Sequence, residues 1–364
     1  NGVAGNALRN LASDTGAGNP GAVGVDFCGA NNTGIRNVTI RSGDGRGRIG
    51  LHVRIPPSMG YHRDLTVEGF DIGIRLFPYH MTHNSFEYVT LRRQREAGMA
   101  IVDSTASIRR LLSENRVPAV RQEGPGSQAV VLDSRFVAPE GGGDAAMQVD
   151  AGYCFVRDLA TEGYAAALAG GEKRMQGPTV REFVNGPVFG APDATSLRLP
   201  VEELPLPKPV RSVSEWTDVT AFGAAGDGES DDTEAIQAAL ASGGGAVLLP
   251  RRMYRISRTL TVPASVHRID GLYGRLSPVK GFGGPLLRVS EAATQPLVIN
   301  DLRMDRGQAV EHACDRTVVL VHCGGTCTLY ASTPEAAGAR VHAANCNGLG
   351  KRPDAFSDVH DWAR

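Results

Sequence analysis

Short segments in which apolar and polar residues alternate recur through the first half of the chain. A second segment, of the form Gly-apolar-X-apolar, lies between them at Gly24–Phe27, Gly50–Val53, Gly73–Leu76 and Gly98–Ile101. Alternation with period two is typical of β-strands that bury one face, so each repeat is predicted to hold at least two short strands. The first segment returns every 22 to 27 residues at the positions Leu11, Val38, Leu65, Val89, Leu111, Ser134 and Leu159.

Repeats of this length predict a solenoid. One repeat cannot bury its own inward face, whereas stacked repeats bury a continuous core, as in a parallel β-helix. A β-sandwich is the competing fold, and it would show antiparallel hairpins with tight Asn-Gly or Asp-Gly turns. Such turns, of which Asp44-Gly45 is an example, are too few here and too widely spaced. The sequence therefore predicts an all-β, right-handed parallel β-helix.

The residue before the repeated position is Asn or Asp in five of the seven repeats. Asn and Asp tolerate left-handed backbone geometry better than other residues with a side chain. Stacked at one corner of the coil, their side chains are expected to form a polar ladder. The five residues are Asn10, Asn37, Asp64, Asp133 and Asp158.

A proline-rich stretch divides the chain. Six prolines fall within residues 186–216, and proline fixes φ and removes a backbone donor, so an extended connector is predicted. The predicted organisation is a first parallel β-helix at 1–185, the connector, and a second parallel β-helix at 217–364. The first solenoid is expected to lack its opening coil, and the second is expected to be incomplete at its C-terminal end.

The second half begins with a glycine-containing loop followed by a helix. Asp231 and Asp232 lie where side chains cap a helix N-terminus, and Ile236 and Leu240 form an apolar stripe four residues apart. A nucleotide site is the alternative interpretation of this loop. Two carboxylates at the positive helix end would repel a pyrophosphate, and the Lys-Ser/Thr pair of a P-loop is absent. We therefore expect a helix that caps the open end of the second solenoid.

The run from Asp218 to Pro250 resembles the opening module of the pectate lyase-like superfamily, in its rhamnogalacturonase/epimerase-like form. The similar elements are the aspartate-bearing glycine loop, the Asp-Asp-Thr triplet at 231–233, the Ala-Ile-Gln helix, the glycine run and a strand that ends in Pro250. Two such modules in tandem resemble glycoside hydrolase family 55, whose members are exo-β-1,3-glucanases.

This resemblance implies a secreted or cell-surface protein that acts on a polysaccharide. It implies hydrolysis by water with the help of a carboxylic acid, and no metal or other cofactor. The family's acid lies far along the second solenoid and is expected to fall beyond this chain. The alternative function is a non-catalytic carbohydrate-binding, tailspike-like or adhesin-like β-helix, because the fold module is shared by many activities.

Cleavage of a glycoside with inversion needs two carboxyl groups about 6.5–9.5 Å apart. In the second half, Asp301, Asp305 and Glu311 are the candidate catalytic residues, with Asp315 nearby in sequence. Each is also an ordinary residue for a solvated turn. For substrate binding, Tyr61, Tyr79 and Tyr88 are candidates because aromatic rings stack on the apolar faces of sugars. Packing in the core is the other interpretation of these rings.

Four cysteines lie close together in the second half. Zinc would need four converging ligands, and their spacing matches no common zinc module, so no metal is predicted. Residues about one coil apart stack in a solenoid, which predicts buried thiols or a disulfide. The four residues are Cys314, Cys323, Cys327 and Cys346.

Composition narrows the partners. With 38 basic and 39 acidic residues the net charge is -1, so the chain lacks the basic character that nucleic acid or anionic membrane attracts. Glycine is abundant, at 45 of 364 residues, which fits many short strands and turns. No apolar run reaches the roughly 18 residues of a membrane span. The resemblance described above implies that the partner is a polysaccharide, and the expected state is a monomer.

Overall fold

The computed structural model of this chain consists of stacked parallel coils, which confirms the predicted parallel β-helix. The coils form two compact units, at 1–196 and 197–364. Most of the predicted connector at 186–216 lies outside the described residues, so the boundaries of the two predicted solenoids stay predictions. The structure describes residues 6–29, 33–54, 59–77, 83–139, 141–170, 173–186, 198, 200–201, 203, 213–306, 309–325, 329–344, 346 and 358–361.

The first unit holds two sheets. Sheet A has the order β1-β3-β5-β7-β9-β11-β14, with β12 between β9 and β14 and with β17 beside β14. Sheet B has the order β2-β4-β6-β8-β10-β13-β15-β16. All pairs are parallel except β14 with β17 and β15 with β16. The strands are β1 (Ala7–Asp14), β2 (Val23–Cys28), β3 (Gly34–Arg41), β4 (Gly47–Arg54), β5 (Met59–Glu68), β6 (Phe70–Leu76), β7 (His83–Arg92), β8 (Ala97–Val102), β9 (Thr105–Glu114), β10 (Val120–Glu123), β11 (Gln128–Leu132), β12 (Arg135–Val137), β13 (Ala145–Val149), β14 (Tyr153–Glu162), β15 (Ala166–Gly170), β16 (Lys173–Met175) and β17 (Thr179–Val184).

The repeated positions of the sequence lie opposite one another in sheet A. Leu11 pairs with Val38, and the same column continues through Leu65, Val89 and Leu111. The last four side chains are fully buried, whereas Leu11 is 39% exposed because β1 is the outermost strand of the sheet. The core therefore forms by stacking one coil on the next, as the repeat spacing predicts.

The residue before each repeated position is left-handed in all seven coils. Asn10 and Asn37 have φ of 52° and 50°, and Nδ2 of Asn37 donates a hydrogen bond to Oδ1 of Asn10 at 2.9 Å. The predicted corner is therefore present. Two coils depart from the Asn/Asp rule, because Tyr88 and Arg110 occupy the corner with φ of 54° and 57°.

A column of glycines explains the second repeated segment. Gly50 lies so close to its neighbours that an added Cβ would come within 2.2 Å of Cγ1 of Val67 and 2.6 Å of the carbonyl oxygen of Gly73. The backbone of sheet B thus lies too close to its neighbours for a side chain at this glycine. The column begins at Gly24, continues through Gly50, Gly73 and Gly98, and ends in Ala119, Ala146 and Ala167.

One histidine lies inside this core. The ring of His62 is stacked on Phe86 with centroids 4.8 Å apart, and its Nε2 is 3.1 Å from Oδ1 of Asn84. His62 is fully buried, and burial lowers its pKa to about 4. A neutral imidazole in an aromatic stack is therefore part of the packing.

The second unit holds three sheets, with one strand of each in a coil. Sheet C has the order β18-β20-β23-β26-β29-β32-β33, sheet D the order β19-β21-β24-β27-β30, and sheet E the order β22-β25-β28-β31, all parallel. Two 3-10 helices lie at Val213–Glu215 and Val219–Phe222. The other elements are β18 (Thr217–Asp218), β19 (Asp227–Asp231), α1 (Thr233–Ala241), β20 (Ala246–Leu248), β21 (Met253–Ile256), β22 (Leu260–Val262), β23 (Arg268–Asp270), β24 (Arg275–Pro278), β25 (Leu287–Val289), β26 (Leu297–Asn300), β27 (Arg303–Met304), β28 (Val310–His312), β29 (Val318–Val321), β30 (Gly324–Gly325), β31 (Leu329–Ala331), α2 (Pro334–Ala337), β32 (Arg340–Ala344) and β33 (Asp358–Asp361).

Helix α1 covers the first coil of the second unit, as predicted for a capping helix. Its apolar face, with Ile236, Ala239 and Leu240, is buried against β22 and β18. In the part of the chain that the structure describes, no helix is both long and apolar enough to cross a membrane.

The two aspartates before this helix have different roles, whereas the sequence predicts that both cap the helix. The carboxylate of Asp231 accepts a hydrogen bond from the backbone N–H of Thr233 at 3.0 Å. Asp232 makes no such cap. Its buried carboxylate accepts from the backbone N–H groups of Ala225 at 2.6 Å, Gly226 at 3.2 Å and Arg255 at 3.3 Å. Asp232 thereby joins the glycine loop to the next coil.

Replacement of Arg110 by Asn is expected to stabilise the first unit. The left-handed backbone costs an ordinary L-residue roughly 1–2 kcal/mol and costs Asn less, so we expect the free energy of unfolding to rise by about 1 kcal/mol. Urea unfolding of the whole chain measures the change. Ser107→Asn, at an exposed position on the same strand with extended backbone, is the control and is expected to give no gain.

The buried His62 makes the fold sensitive to acid. Its pKa of about 4 lies below the ordinary 6.5, so the unfolded state binds the proton first and stability falls as the pH drops below 6.5. Between pH 7 and pH 5 this loss is about 2 kcal/mol. His62→Phe is expected to remove it, as measured by thermal unfolding at both pH values. An equally steep pH dependence in His62→Phe would contradict this assignment, and His83→Phe, at an exposed position, is the control.

Candidate functional site

Two of the tyrosines proposed to contact a sugar lie near the corner of sheet A. Tyr61 in β5 and Tyr88 in β7 are half-buried, and neither belongs to the core. Tyr79 lies outside the described residues. The core position in this part of sheet A is held by Phe86, which is fully buried. Tyr61 and Tyr88 are thus available for contacts other than packing of the interior.

Arg63 joins the two tyrosines. Its Nη1 donates hydrogen bonds to the hydroxyl of Tyr61 and to Oε2 of Glu87, both at 3.1 Å. Its guanidinium carbon lies 4.6 Å from the centre of the Tyr88 ring, which is the distance of a cation–π contact. The Tyr61 hydroxyl donates to the same Glu87 oxygen at 2.5 Å. Burial and the Glu87 carboxylate raise the pKa of Tyr61, so this hydroxyl remains a donor.

The charges continue into the next coils. Nη1 of Arg109 is 3.5 Å from Oε1 of Glu87, and its Nε is 3.3 Å from Oδ2 of Asp133. The Arg109 side chain is only 8% exposed. Positive and negative groups therefore alternate from coil to coil, and each neutralises its neighbour. We call Tyr61, Arg63, Glu87, Tyr88, Arg109 and Asp133 the corner network.

The side chains of the corner network contact one another, and these contacts connect successive coils. The ring of Tyr61 also lies under a guanidinium, since the Arg36 carbon is 5.3 Å from the ring centre. A sugar would have to compete with these contacts. The sequence contains a pattern that indicates such a network, because an arginine precedes the corner residue in five coils. The five pairs are Arg9-Asn10, Arg36-Asn37, Arg63-Asp64, Arg109-Arg110 and Arg157-Asp158.

The first candidate carboxylate of the second unit, Asp301, is fully buried at the corner after β26. Its Oδ1 lies 3.3 Å from Nδ1 of His322, which occupies the same corner in the next coil. Both side chains have no exposed surface, and both residues have a left-handed backbone, with φ of 51° and 53°. Asp301 is therefore neither a solvated turn residue nor open to substrate in this structure.

The other two candidate carboxylates lie on different sheets. Asp305 follows β27 of sheet D, where its carboxylate pairs with Arg275 and Arg303 and accepts from the Ser277 hydroxyl at 2.7 Å. Glu311 lies in β28 of sheet E and pairs with Arg288 at 2.7 Å.

The structure does not bring the three candidates together. Asp301, Asp305 and Glu311 follow or belong to strands of three different sheets, and each is held by a basic partner of its own. Asp315 is exposed. Each of the three candidates is thus engaged by a basic side chain, and their catalytic role stays a prediction.

The sulfur-bearing residues belong to the core of the second unit. Cys314 is buried, and its Sγ lies 3.4 Å from the carbonyl oxygen of Glu291. Sγ of Cys323 lies 3.3 Å from the carbonyl oxygen of Ile299. Cys346 is half-buried and packs against the same core, and Cys327 lies outside the described residues. Within the described ranges, no three His, Cys, Asp or Glu side chains form a group that could hold a metal.

Comparison with known proteins gives short matches. No protein-family pattern matches the chain. The mannuronan C5-epimerase AlgE1 of Azotobacter vinelandii is 39% identical over 88 residues, which cover 21% of this chain and 6% of that protein. The mannuronan C5-epimerase AlgE2 of the same organism is 49% identical over 67 residues, which cover 15% of this chain and 7% of that protein. This chain thus spans less than a tenth of either relative, and the resemblance to glycoside hydrolase family 55 stays a prediction.

Removal of the histidine beside Asp301 is expected to destabilise the second unit. A buried carboxylate that loses its partner costs about 3–5 kcal/mol, so we expect His322→Ala to lower the free energy of unfolding by about 3 kcal/mol. The double variant Asp301→Asn/His322→Ala is expected to recover part of this loss. Chemical unfolding of the whole chain measures both. Equal stability of His322→Ala and the unsubstituted chain would refute the structural role of this pair.

Proposed function

We propose that this chain is part of a protein that acts on a polysaccharide. The observation that carries the proposal is the 49% identity to a mannuronan C5-epimerase over a stretch of a chain that folds as a parallel β-helix. A solenoid presents the same outer positions in every coil, which suits a polymer that repeats along its length. A secreted or cell-surface location and a monomeric state belong to the same proposal.

Hydrolysis of the exo-β-1,3-glucanase type is the more specific form of the proposal. It requires a general acid and a base about 6.5–9.5 Å apart around an attacking water. The buried pair of Asp301 and the ion pairs of Asp305 and Glu311 give this form no support from the described residues. The catalytic acid would have to be a carboxyl group other than these three.

Inversion at C5 of a uronate polymer is the second candidate. Both similar proteins are named as mannuronan C5-epimerases, whereas neither is named as a hydrolase. Epimerisation keeps the polymer intact, so an assay for reducing ends does not detect it. A non-catalytic carbohydrate-binding solenoid is the third form, and it differs from both enzymes by binding without any chemical change.

One set of incubations separates these forms. The 364-residue chain is incubated with laminarin, polygalacturonate and mannuronan, and retention on each polymer is measured by affinity electrophoresis. New reducing ends report hydrolysis, and proton NMR of the recovered polymer reports inversion at C5. We expect retention on at least one of the three polymers. Hydrolysis of laminarin would support the glucanase form, and a change at C5 without new ends would support the epimerase form.

The control is a heat-unfolded sample of the same chain, which separates specific retention from trapping. Retention without turnover would support the binding solenoid. If the folded chain neither migrates more slowly in any polymer nor changes one, the proposal of a polysaccharide-acting protein is wrong.

A further inference from the structure

The outer face of sheet B carries one polar column that the corner network does not include. The outward positions of successive coils are Asp26, His52, Arg75, Ala100, Arg121 and Gln148. Parallel strands are about 4.8 Å apart, so this column runs along the axis of the solenoid. We call these six residues the sheet B strip.

Most charges of the strip are already neutralised. Asp26 pairs with Arg54 at 2.6 Å and lies 3.5 Å from Nδ1 of His52. Arg121 pairs with Glu123. Gln148 donates a hydrogen bond to Asp150 at 3.1 Å. These groups hold one another in the same way as the members of the corner network.

Arg75 differs from its neighbours. Its side chain is half-buried. Among the described residues, this side chain takes part in no ion pair and no hydrogen bond. On one side His52 is kept neutral, because burial lowers its pKa and Arg75 opposes its protonation. On the other side the residue at this position is Ala100, which is uncharged and buried, and the residue two coils away is Arg121, a second cation. Among the described residues, the Arg75 guanidinium thus has no counter-charge.

An aromatic ring lies beside this position. Phe77 follows β6 and is half-buried, with its ring centre 6.3 Å from that of His52. Arg75 and His52 of the strip, together with the adjacent Phe77, thus place a cation, a neutral imidazole and an apolar ring within two coils. A guanidinium binds a carboxylate through two parallel hydrogen bonds, and a ring stacks on the apolar face of a sugar.

We propose that the sheet B strip binds an acidic polysaccharide, with Arg75 holding a sugar carboxylate and Phe77 contacting the sugar ring. The inference rests on the proposed action on polysaccharides and specifies its class of ligand and its place on the first unit. The polymer lies along the solenoid axis, so that successive sugars meet successive coils.

Two matched pairs of polymers test the class of ligand. Polygalacturonate is compared with its methyl ester, and dextran sulfate is compared with dextran, by calorimetry with the 364-residue chain. We expect polygalacturonate to bind at least tenfold more tightly than its ester, with an affinity that falls as salt increases. Equal binding of acid and ester would overturn the acidic class. Binding of dextran sulfate without polygalacturonate would overturn the carboxylate.

Variants test the place of the site. Arg75→Gln is expected to weaken binding of polygalacturonate at least tenfold and to leave the unfolding temperature unchanged, because the side chain holds no other group. The matched control is Arg92→Gln in sheet A, whose arginine pairs with Glu114 and is expected to leave the affinity unchanged.

The outcomes keep the two proposals apart. Unaltered affinity in Arg75→Gln would overturn the strip as the binding site while leaving the action on polysaccharides intact. A lowered unfolding temperature with unaltered affinity would assign Arg75 a structural role and also overturn the strip. Absence of binding to every polymer, neutral or acidic, would remove the proposed function and the strip together.

Discussion

Parallel stacking places the same position of successive coils about 4.8 Å apart, and this single constraint shapes every surface of the chain. A charge in one coil always meets the side chain of the next coil at that position. The outer column at the ends of the sheet A strands shows the consequence, because Asp14, Arg41, Glu68, Arg92 and Glu114 alternate in sign. Opposite charges in neighbouring coils attract one another, so the alternation in this column stabilises the stack.

Features that depend on the backbone of one residue could be predicted from the sequence. The corner at Asn10 and Asn37, the glycine column and the capping helix all follow from what a single residue type permits at a repeated position. A position that returns every 22 to 27 residues shows the same preferred residue type several times. This repetition distinguishes the pattern from chance. Tyr61 and Tyr88 lie in neighbouring coils, and their role in substrate binding stays a prediction.

Features that depend on a particular partner could not be predicted in this way. Arg316 is fully buried, and its guanidinium donates hydrogen bonds to the carbonyl oxygens of Gln295 at 3.0 Å and Val266 at 2.8 Å, so that it joins three coils. No repeated pattern in the sequence predicts a buried arginine here, because Arg316 has no counterpart in the other coils. Asp301 is a similar case. A turn position in a solenoid with three sheets can face inward, and here the Asp301 carboxylate is enclosed 3.3 Å from the His322 ring.

The alternation of charge also separates structure from binding. Arg63 and Arg109 each face a carboxylate of the same network, so they stabilise the stack. Carbohydrate contact by Tyr61 or Tyr88 would disturb the same pairs. In the outer column of sheet B, Arg75 has no counter-charge among the described residues of the adjacent coils, where His52 and Ala100 lie opposite it. The acidic ligand that we propose would supply the counter-charge that the adjacent coils do not provide.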